Sequence, residues 1–332
     1  MSRVTGPLTT IALFGVTGML GSAFLDAFLE DVIEGYQPKV LVFMRPGKNI
    51  ARRYEQHAQV QVVQCDYPKG GDDLVEKLRG VDALVSALSG GGYPAHYTLL
   101  EAAIKAGVKR FYPSEYGFHH LYRAPGDPGS RVVPLWDEKE RFILHMKLHP
   151  DVLAGNIEYT LVGAGDLWDQ PTEPFWCPWD KDIDTYDVPV VGDGDALADW
   201  SCRKDVARYV VASLAKPAVS ANAVLNFPSV TMSQNAMVEL LRKYAGAKGR
   251  TVTVRRFSAD DAHRFAADAS AAPQEIAESS NIPVDFYFVV KSIQGSGTFR
   301  RPTWECHWDL FPEVKRTTFE DYLKEKFGQC CA

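Results

Sequence analysis

Short runs of β-forming residues alternate with helix-like stretches through the first half of the chain, and that alternation leaves few folds open. The β-rich runs are TIALFG (10–15), KVLVFM (39–44), VQVVQC (60–65), DALVSA (82–87), KRFYP (109–113) and EYTLVG (158–163). Between them MLGSAFLDAFLE (19–30), DDLVEKLRG (72–80), YTLLEAAIKAG (97–107) and DEKERFILHMKLH (137–149) carry apolar residues at spacings of three and four. Such a pattern predicts an α/β fold in which a parallel sheet is covered on both faces. Ligands then bind outside the carboxyl ends of the strands.

The first strand runs directly into GVTGMLG, where Gly15, Gly18 and Gly21 are spaced G-x-x-G-x-x-G and a helix follows at once. The spacing differs from the G-x-G-x-x-G dinucleotide fingerprint, but the physics is the same. Glycines let the backbone turn tightly and approach a pyrophosphate, whose charge then meets the helix N-terminus. A purely structural glycine turn is the alternative, and the strand-to-helix junction favours phosphate. After the second strand, FMRPGKN places Arg45 where an acid would accept hydrogen bonds from an adenosine ribose. A guanidinium suits a 2′-phosphate, with Lys48, Arg52 and Arg53 as nearby positive charge; a solvated basic face is the other reading. Charged hydrogen bonds worth ~1.5–3 kcal/mol each would favour NADPH over NADH by about tenfold or more. The expected cofactor is NADP(H).

Composition narrows the partners. With 332 residues, 46% of them hydrophobic, the chain can bury one large core or two joined ones, and we expect a closely joined pair. A net charge of −6 without any long basic run argues against nucleic acid and anionic membranes as partners. No run approaches the roughly 20 apolar residues of a membrane span, and MSRVTGPLTT lacks the apolar segment of a signal peptide. The cysteines (65, 177, 202, 306, 330 and 331) show no Cys-x-x-Cys spacing and read as reduced thiols in the cytoplasm. LYRAPGDPGSRVVP (121–134) reads as a loop. Neither a G-x-x-x-x-G-K-[ST] loop nor a G-x-S-x-G elbow occurs, which sets kinases and hydrolases aside. His119 and His120 have no further ligand at metal-site spacing, so no metal is expected.

As a set, LFGVTGMLG (13–21), the arginine after the second strand, VKRFYPSEYG (108–117), the lysine-bearing helix and LFPEVKRTTFEDYL (310–323) resemble the NmrA-like and isoflavone reductase-like branch of the atypical short-chain dehydrogenases. The resemblance runs from about residue 10 to 328, and the chain looks like a fungal member. It implies a Rossmann-type doubly wound parallel sheet with a smaller, interwoven C-terminal substrate domain. Residues 1–165 would bind NADP(H), with 190–228 returning to that body, and 166–189 with 229–332 would form the substrate domain.

By the same resemblance the dinucleotide would lie along Gly15, Thr17, Gly18, Met19 and Leu20, with Arg45, Lys48 and Asp66 towards its adenosine end. Ala87, Leu88 and Ser89 would follow the fourth strand, and Pro113, Ser114 and Glu115 the fifth. Gly163, Ala164 and Gly165 would leave room for the nicotinamide ring. Lys139 matches the family's catalytic lysine, although the family's arginine four residues on is replaced by Ile143. Leu135 stands where ordinary short-chain dehydrogenases have a tyrosine acid. A Tyr-x-x-x-Lys at Tyr322 and Lys326 lies past the cofactor fold and reads as an exposed helix.

A lysine with an ordinary pKa of about 10.4 is a poor proton donor near neutrality. Lys139 can clamp and protonate only if it is desolvated, for which Trp168 or the nicotinamide would serve. The segment WDQPTEPFWCPWD (168–180) brings Trp168, Phe175, Trp176 and Trp179 together, either as core of the second domain or as an aromatic pocket. Tyr116, His120, Asp166, Trp168 and Trp176 are the expected substrate contacts. The leading expectation is an NADPH-dependent reductase of an aromatic or polycyclic small molecule in secondary metabolism. Two others share the fold. One is a non-redox enzyme of condensation or cyclisation, such as alkaloid-type Pictet–Spengler chemistry, using Lys139, Glu115 or Asp166. The other is an NmrA-like redox-sensing regulator without catalysis.

Overall fold

Each of the β-rich runs folds as a strand: β1 (Thr10–Phe14), β2 (Lys39–Met44), β3 (Val60–Gln64), β4 (Ala83–Ser86), β5 (Arg110–Tyr112) and β6 (Glu158–Gly163). The computed structural model describes residues 4–117, 134–171, 173, 175–279 and 282–328. Further strands are β7 (Asp166–Leu167), β8 (Thr185–Val191), β9 (Leu197–Ser201), β10 (Ala223–Asn226), β11 (Val230–Ser233) and β12 (Thr251–Phe257). Strand β10 joins the first six in a sheet ordered β10-β6-β5-β4-β1-β2-β3, in which every pair is parallel. The others form two small sheets, β11-β9-β7 and β12-β8.

Strands buried on both faces are apolar along most of their length, and β2 shows why KVLVFM does not alternate with polar residues. Val40, Val42 and Met44 enter one core, while Leu41 and Phe43 enter the other. The helices Met19–Leu29 and Arg203–Ala215 pack together over the first core, and Asp72–Leu78 and Ala95–Ala106 over the second. From β1 the strand order runs out to β2 and β3 on one side and to β4, β5 and β6 on the other. The crevice opened by that reversal, at the carboxyl ends of β1 and β4, is where doubly wound sheets take ligands.

The remaining third of the chain builds a core of its own. Trp168, Trp179, Tyr186, Trp200, Phe265 and Phe288 pack there beneath the helices Gln234–Gly246, Ala259–Ala267, Val284–Gly295 and Phe319–Phe327. Within 190–228, helix Arg203–Ala215 and β10 lie with the large sheet, whereas β9 pairs with β7 and β11. Tyr322 is half-buried and so differs from the exposed position expected of it, whereas Lys326 is exposed as expected. Their helix drives Phe319, Leu323 and Phe327 into the second core, so the two residues flank a buried seam. There the Tyr322 hydroxyl donates to the Asp180 carboxylate and Lys326 Nζ to the Asp180 carbonyl at 3.1 Å. No helix among the described residues is long and apolar enough to cross a membrane. The Pro/Gly-dense stretch lies outside the described residues up to its last residue, Pro134, which opens the helix Pro134–Lys147.

Candidate active site

The turn after β1 is built around glycines that no other residue can replace equally well. Gly15 has φ +81°, and a Cβ there would sit 2.8 Å from the carbonyl carbon and oxygen of Ala87. At Gly21 a Cβ would fall 2.1 Å from the Gly15 oxygen, an overlap of backbone on side chain. Gly18 is roomier, with its nearest neighbour at 3.2 Å, and it is exposed at the N-cap of the helix Met19–Leu29. Gly21 and Gly15 thus let the helix dock close on the strand, while Gly18 keeps the outer surface bare. Met19 and Leu20 occupy the first turn, where backbone N–H groups have no partner within a helix.

Gly15 and Thr17 line a cavity of about 820 Å³ that also receives Arg45, Lys48, Tyr67, Leu88 and Ser89. It therefore spans the carboxyl ends of β1, β2, β3 and β4. Arg45 is exposed and forms no ion pair with any described residue. Arg53 turns away, 3.6 Å from Asp26 and over the Tyr54 ring, and Arg52 does not line the cavity. Asp66 is exposed beside Tyr67 but outside the lining, and Ala87 contributes the backbone that packs on Gly15. A bare glycine turn and helix N-terminus at one end, with Arg45 and Lys48 at the other, suit a dinucleotide carrying a further phosphate on its adenosine ribose.

A second cavity, of about 170 Å³, lies at the ends of β5 and β6, and Tyr116, Trp136, Lys139, Asp166, Trp176 and Phe286 are among its walls. Lys139, on the helix Pro134–Lys147, holds its ammonium 5.7 Å from the centre of the Tyr93 ring. The Tyr93 hydroxyl donates to Glu115 Oε1 at 2.9 Å, and Glu115 is buried. Burial pushes the Lys139 pKa below its ordinary value, against the pull of the Glu115 charge. Burial likewise pushes Glu115 up, while Lys139 and the Tyr93 hydrogen bond act against it. His96 lies beneath this group, its Nδ1 2.6 Å from the Tyr93 carbonyl while the Ser114 N–H donates to Nε2 at 3.3 Å. Those partners fix a neutral ring protonated on Nδ1, and burial brings its pKa down to about 4.

Several expected site residues have a different task. Trp168 is fully buried, its ring 5.7 Å from Phe319 in the second core, and does not line the Lys139 cavity. The lowering at Lys139 comes from burial in the crevice beside Tyr93 and Glu115. A Cβ at Gly163 would meet Asn226 Oδ1 at 2.3 Å, and one at Gly165 would meet the Asp199 and Trp200 backbones at 2.4 Å. Their small size therefore serves close packing against β10 and β9, and Gly165 also lines the Lys139 cavity. Ala164 is fully buried and its N–H donates to the Gly117 carbonyl at 2.9 Å. Pro113 and Ser114 are buried and line neither cavity. His120 lies outside the described residues. Of the four aromatic residues in 168–180, Trp176 alone faces the cavity; Phe175 packs at a tilt against Tyr287 and Trp179 donates to the Trp168 carbonyl.

The structure adds residues that sequence reasoning missed: Tyr93, His96, Trp136, Phe286, Lys291 and Gln294. Lys291 carried a signal, since it is a lone charge inside the apolar run FYFVVKSI (286–293) with Tyr287 and Gln294 on its own helix face. Cys65, Cys177 and Cys202 are buried, and burial pushes their thiols up, Cys65 to about 11, which leaves them unreactive. Among the described residues no group of three or more His, Cys, Asp or Glu is placed to hold a metal ion.

Known proteins share this architecture. A family model described as the NmrA-like family matches residues 7–260. A bifunctional pinoresinol-lariciresinol reductase from Forsythia intermedia is 26% identical over 328 residues, covering 95% of this chain and 97% of that protein. The oxidoreductase aprR of Aspergillus flavus is 25% identical over 238 residues, 72% of this chain and 74% of its own. In three dimensions, leucoanthocyanidin reductase of Vitis vinifera, solved in a binary complex with NADPH, superposes with a TM-score of 0.72. It is 18% identical, and the match covers 96% of this chain and 100% of that one.

Proposed function

The chain belongs to the NmrA-like family, and from that premise we propose that it is an NADPH-dependent reductase of an aromatic small molecule, acting in cytoplasmic secondary metabolism. The observation that carries the reading is Lys139: a lysine with a lowered pKa opens onto the same small cavity as Trp136, Trp176 and Phe286. Relatives named as reductases of pinoresinol and lariciresinol, and as a fungal oxidoreductase, support it. Residues 166–189 and 229–328 supply most of that cavity's far wall and serve as the substrate-binding part.

NADPH, when bound, supplies a hydride to an electron-poor carbon. Everything else falls to the chain. The glycine turn and the first turn of helix Met19–Leu29 hold the pyrophosphate through backbone N–H groups, and Arg45 with Lys48 holds the 2′-phosphate. The aromatic walls present flat apolar faces to the substrate and keep water from it. Lys139 meets the substrate oxygen or nitrogen that gains charge, stabilises it, and passes it a proton. Desolvation brings that proton within reach near neutral pH, and Glu115 beside it keeps the buried site close to neutral overall.

The test is nicotinamide absorbance in the presence of benzylic ethers, aromatic ketones and aromatic enones. Oxidation of NADPH matched by an equal amount of reduced product is expected. Substrate conversion with the NADPH unchanged would replace the reading by a condensation or cyclisation. Tight NADPH binding without turnover of any aromatic candidate would replace it by a sensor.

A further inference from the structure

Two lysine–carboxylate pairs converge on the smaller cavity, and the second has no part in the chemistry described so far. Asp166 opens β7 and forms part of the cavity wall. Behind it, on helix Val284–Gly295, Lys291 is 3% exposed with Nζ 3.9 Å from Asp166 Oδ2. The same ammonium lies 5.2 Å from the Trp200 ring centre, 5.4 Å from that of Trp176 and 5.5 Å from that of Tyr287. Asp166 Oδ2 also accepts from Trp176 Nε1 at 2.7 Å and from Gln294 Nε2 at 2.5 Å.

This arrangement is costly for a purely structural tie, because desolvating two charges offsets their attraction and an apolar pair of like volume would hold the domain as well. What it does provide is a carboxylate that cannot rotate. Its side-chain anchors gather on Oδ2, the Leu167 backbone adds a hydrogen bond to the same carboxylate, and the part of it that lines the cavity is left to accept from a ligand. The charge balance then selects the ligand. Lys291 already neutralises Asp166, so that end of the cavity carries no net charge to draw a cation. It can accept a hydrogen bond from a neutral donor set on an aromatic ring.

We propose that Asp166, held in place by Lys291, is a specificity-determining residue that accepts a hydrogen bond from a phenolic hydroxyl or indole-type N–H of the aromatic substrate. This rests on the reading that the cavity takes an aromatic substrate, and it does not depend on hydride transfer. Lys291 is the positioning residue.

Two probes of nearly equal shape, 2-naphthol and 2-methoxynaphthalene, differ by that donor. Isothermal titration of each into the NADPH-loaded protein should show the naphthol bound about tenfold or more tighter than the ether. Lys291→Met should shrink that ratio, since a merely structural lysine would weaken both probes alike. The double variant Asp166→Leu with Lys291→Met leaves no lone buried charge, and should bring the two affinities to within about twofold while NADPH still binds. Equal affinities in the parent protein, failure of both probes to bind, or an undiminished ratio in the double variant each overturns the proposal. The parent comparison needs no variant to fold. NADPH oxidation is not read here, so a phenol preference without turnover would sink the reductase reading alone, and turnover without the preference would sink this one alone.

Discussion

The ammonium of Lys139 rests 5.7 Å from the centre of the Tyr93 ring, and the same ring hands its hydroxyl proton to a hydrogen bond with Glu115. A cation in such contact is held by the ring's electron-rich face, and ring and carboxylate together give Lys139 a fixed seat without a tyrosine of the usual short-chain type. Lys139→Met should therefore lower turnover by ~10²–10³ while NADPH affinity stays within about tenfold. Lys139→Arg keeps the charge but holds its proton, so partial activity would identify a clamp and its loss a proton carrier. Single-turnover rates decide, and three similar rates would remove Lys139 from the mechanism.

pH acts on the same lysine with two opposite signs. Because its folded pKa lies below the ordinary 10.5, the turnover rate should fall as pH rises through that lowered value and the donor is lost. Its contribution to stability runs the other way, growing with pH from the lowered value to 10.5, where only the unfolded chain still binds the proton. Rate and urea-unfolding profiles of parent and Lys139→Met, taken together, check both signs.

His96 gives a cleaner stability effect. Its pKa falls from 6.5 to about 4, so on acidification the unfolded chain takes up the proton first. The stabilisation is complete above 6.5 and is lost as pH falls towards 4, with a magnitude of about 3 kcal/mol. His96→Gln should lose that acid-side dependence. Comparing the unfolding free energies of parent and variant across the window isolates it from the buried carboxylates.

Arg45→Ala should abolish most of the preference for NADPH over NADH, about tenfold or more, and leave the melting temperature of the cofactor-free protein unchanged. The side chain is exposed and lines the large cavity, so it supports binding and not folding. Nicotinamide fluorescence titrations provide the measure; equal affinities for the two cofactors in the parent protein would refute the assignment.

The glycines separate fold from binding. Gly21→Ala forces a Cβ to within 2.1 Å of the Gly15 oxygen, and should cost at least ~1–3 kcal/mol of stability. Gly18→Val, with 3.2 Å to its nearest neighbour, should fold but lose the thermal gain from NADPH. Melts with and without cofactor distinguish them, and a Gly18→Val protein still raised several degrees by NADPH would displace the phosphate from this turn.

Strand positions were legible because a doubly covered strand is apolar along most of its length; β2 and β6 coincide with KVLVFM and EYTLVG to the residue. The glycine turn and Arg45 were legible for a related reason, since each follows directly on a strand end. The far side of the cavity was not. Trp168 and Trp176 look alike in sequence, yet a helix from the end of the chain takes one into the core and leaves the other on the wall. The packing role of Gly163 and Gly165 was not legible, because smallness beside a ligand and smallness beside a neighbouring strand leave the same residue. The pairing of Asp166 with Lys291 spans 125 positions and depends on the path of the chain between them.

Arg301 gives the molecule an order of assembly. Its guanidinium donates to the Ala164 carbonyl at 2.9 Å and the Gly117 carbonyl at 3.1 Å, and its backbone N–H to Asp199 Oδ2 at 2.8 Å. Two backbone carbonyls and one carboxylate, from three stretches of the chain, thus share one late-arriving tether. On the ribosome every strand of the nucleotide-binding sheet, the last being β10 (Ala223–Asn226), precedes this tether by more than seventy residues. A chain stopped before residue 301 would therefore hold every strand of the nucleotide-binding sheet and lack the tether that joins Gly117, Ala164 and Asp199 on the substrate side.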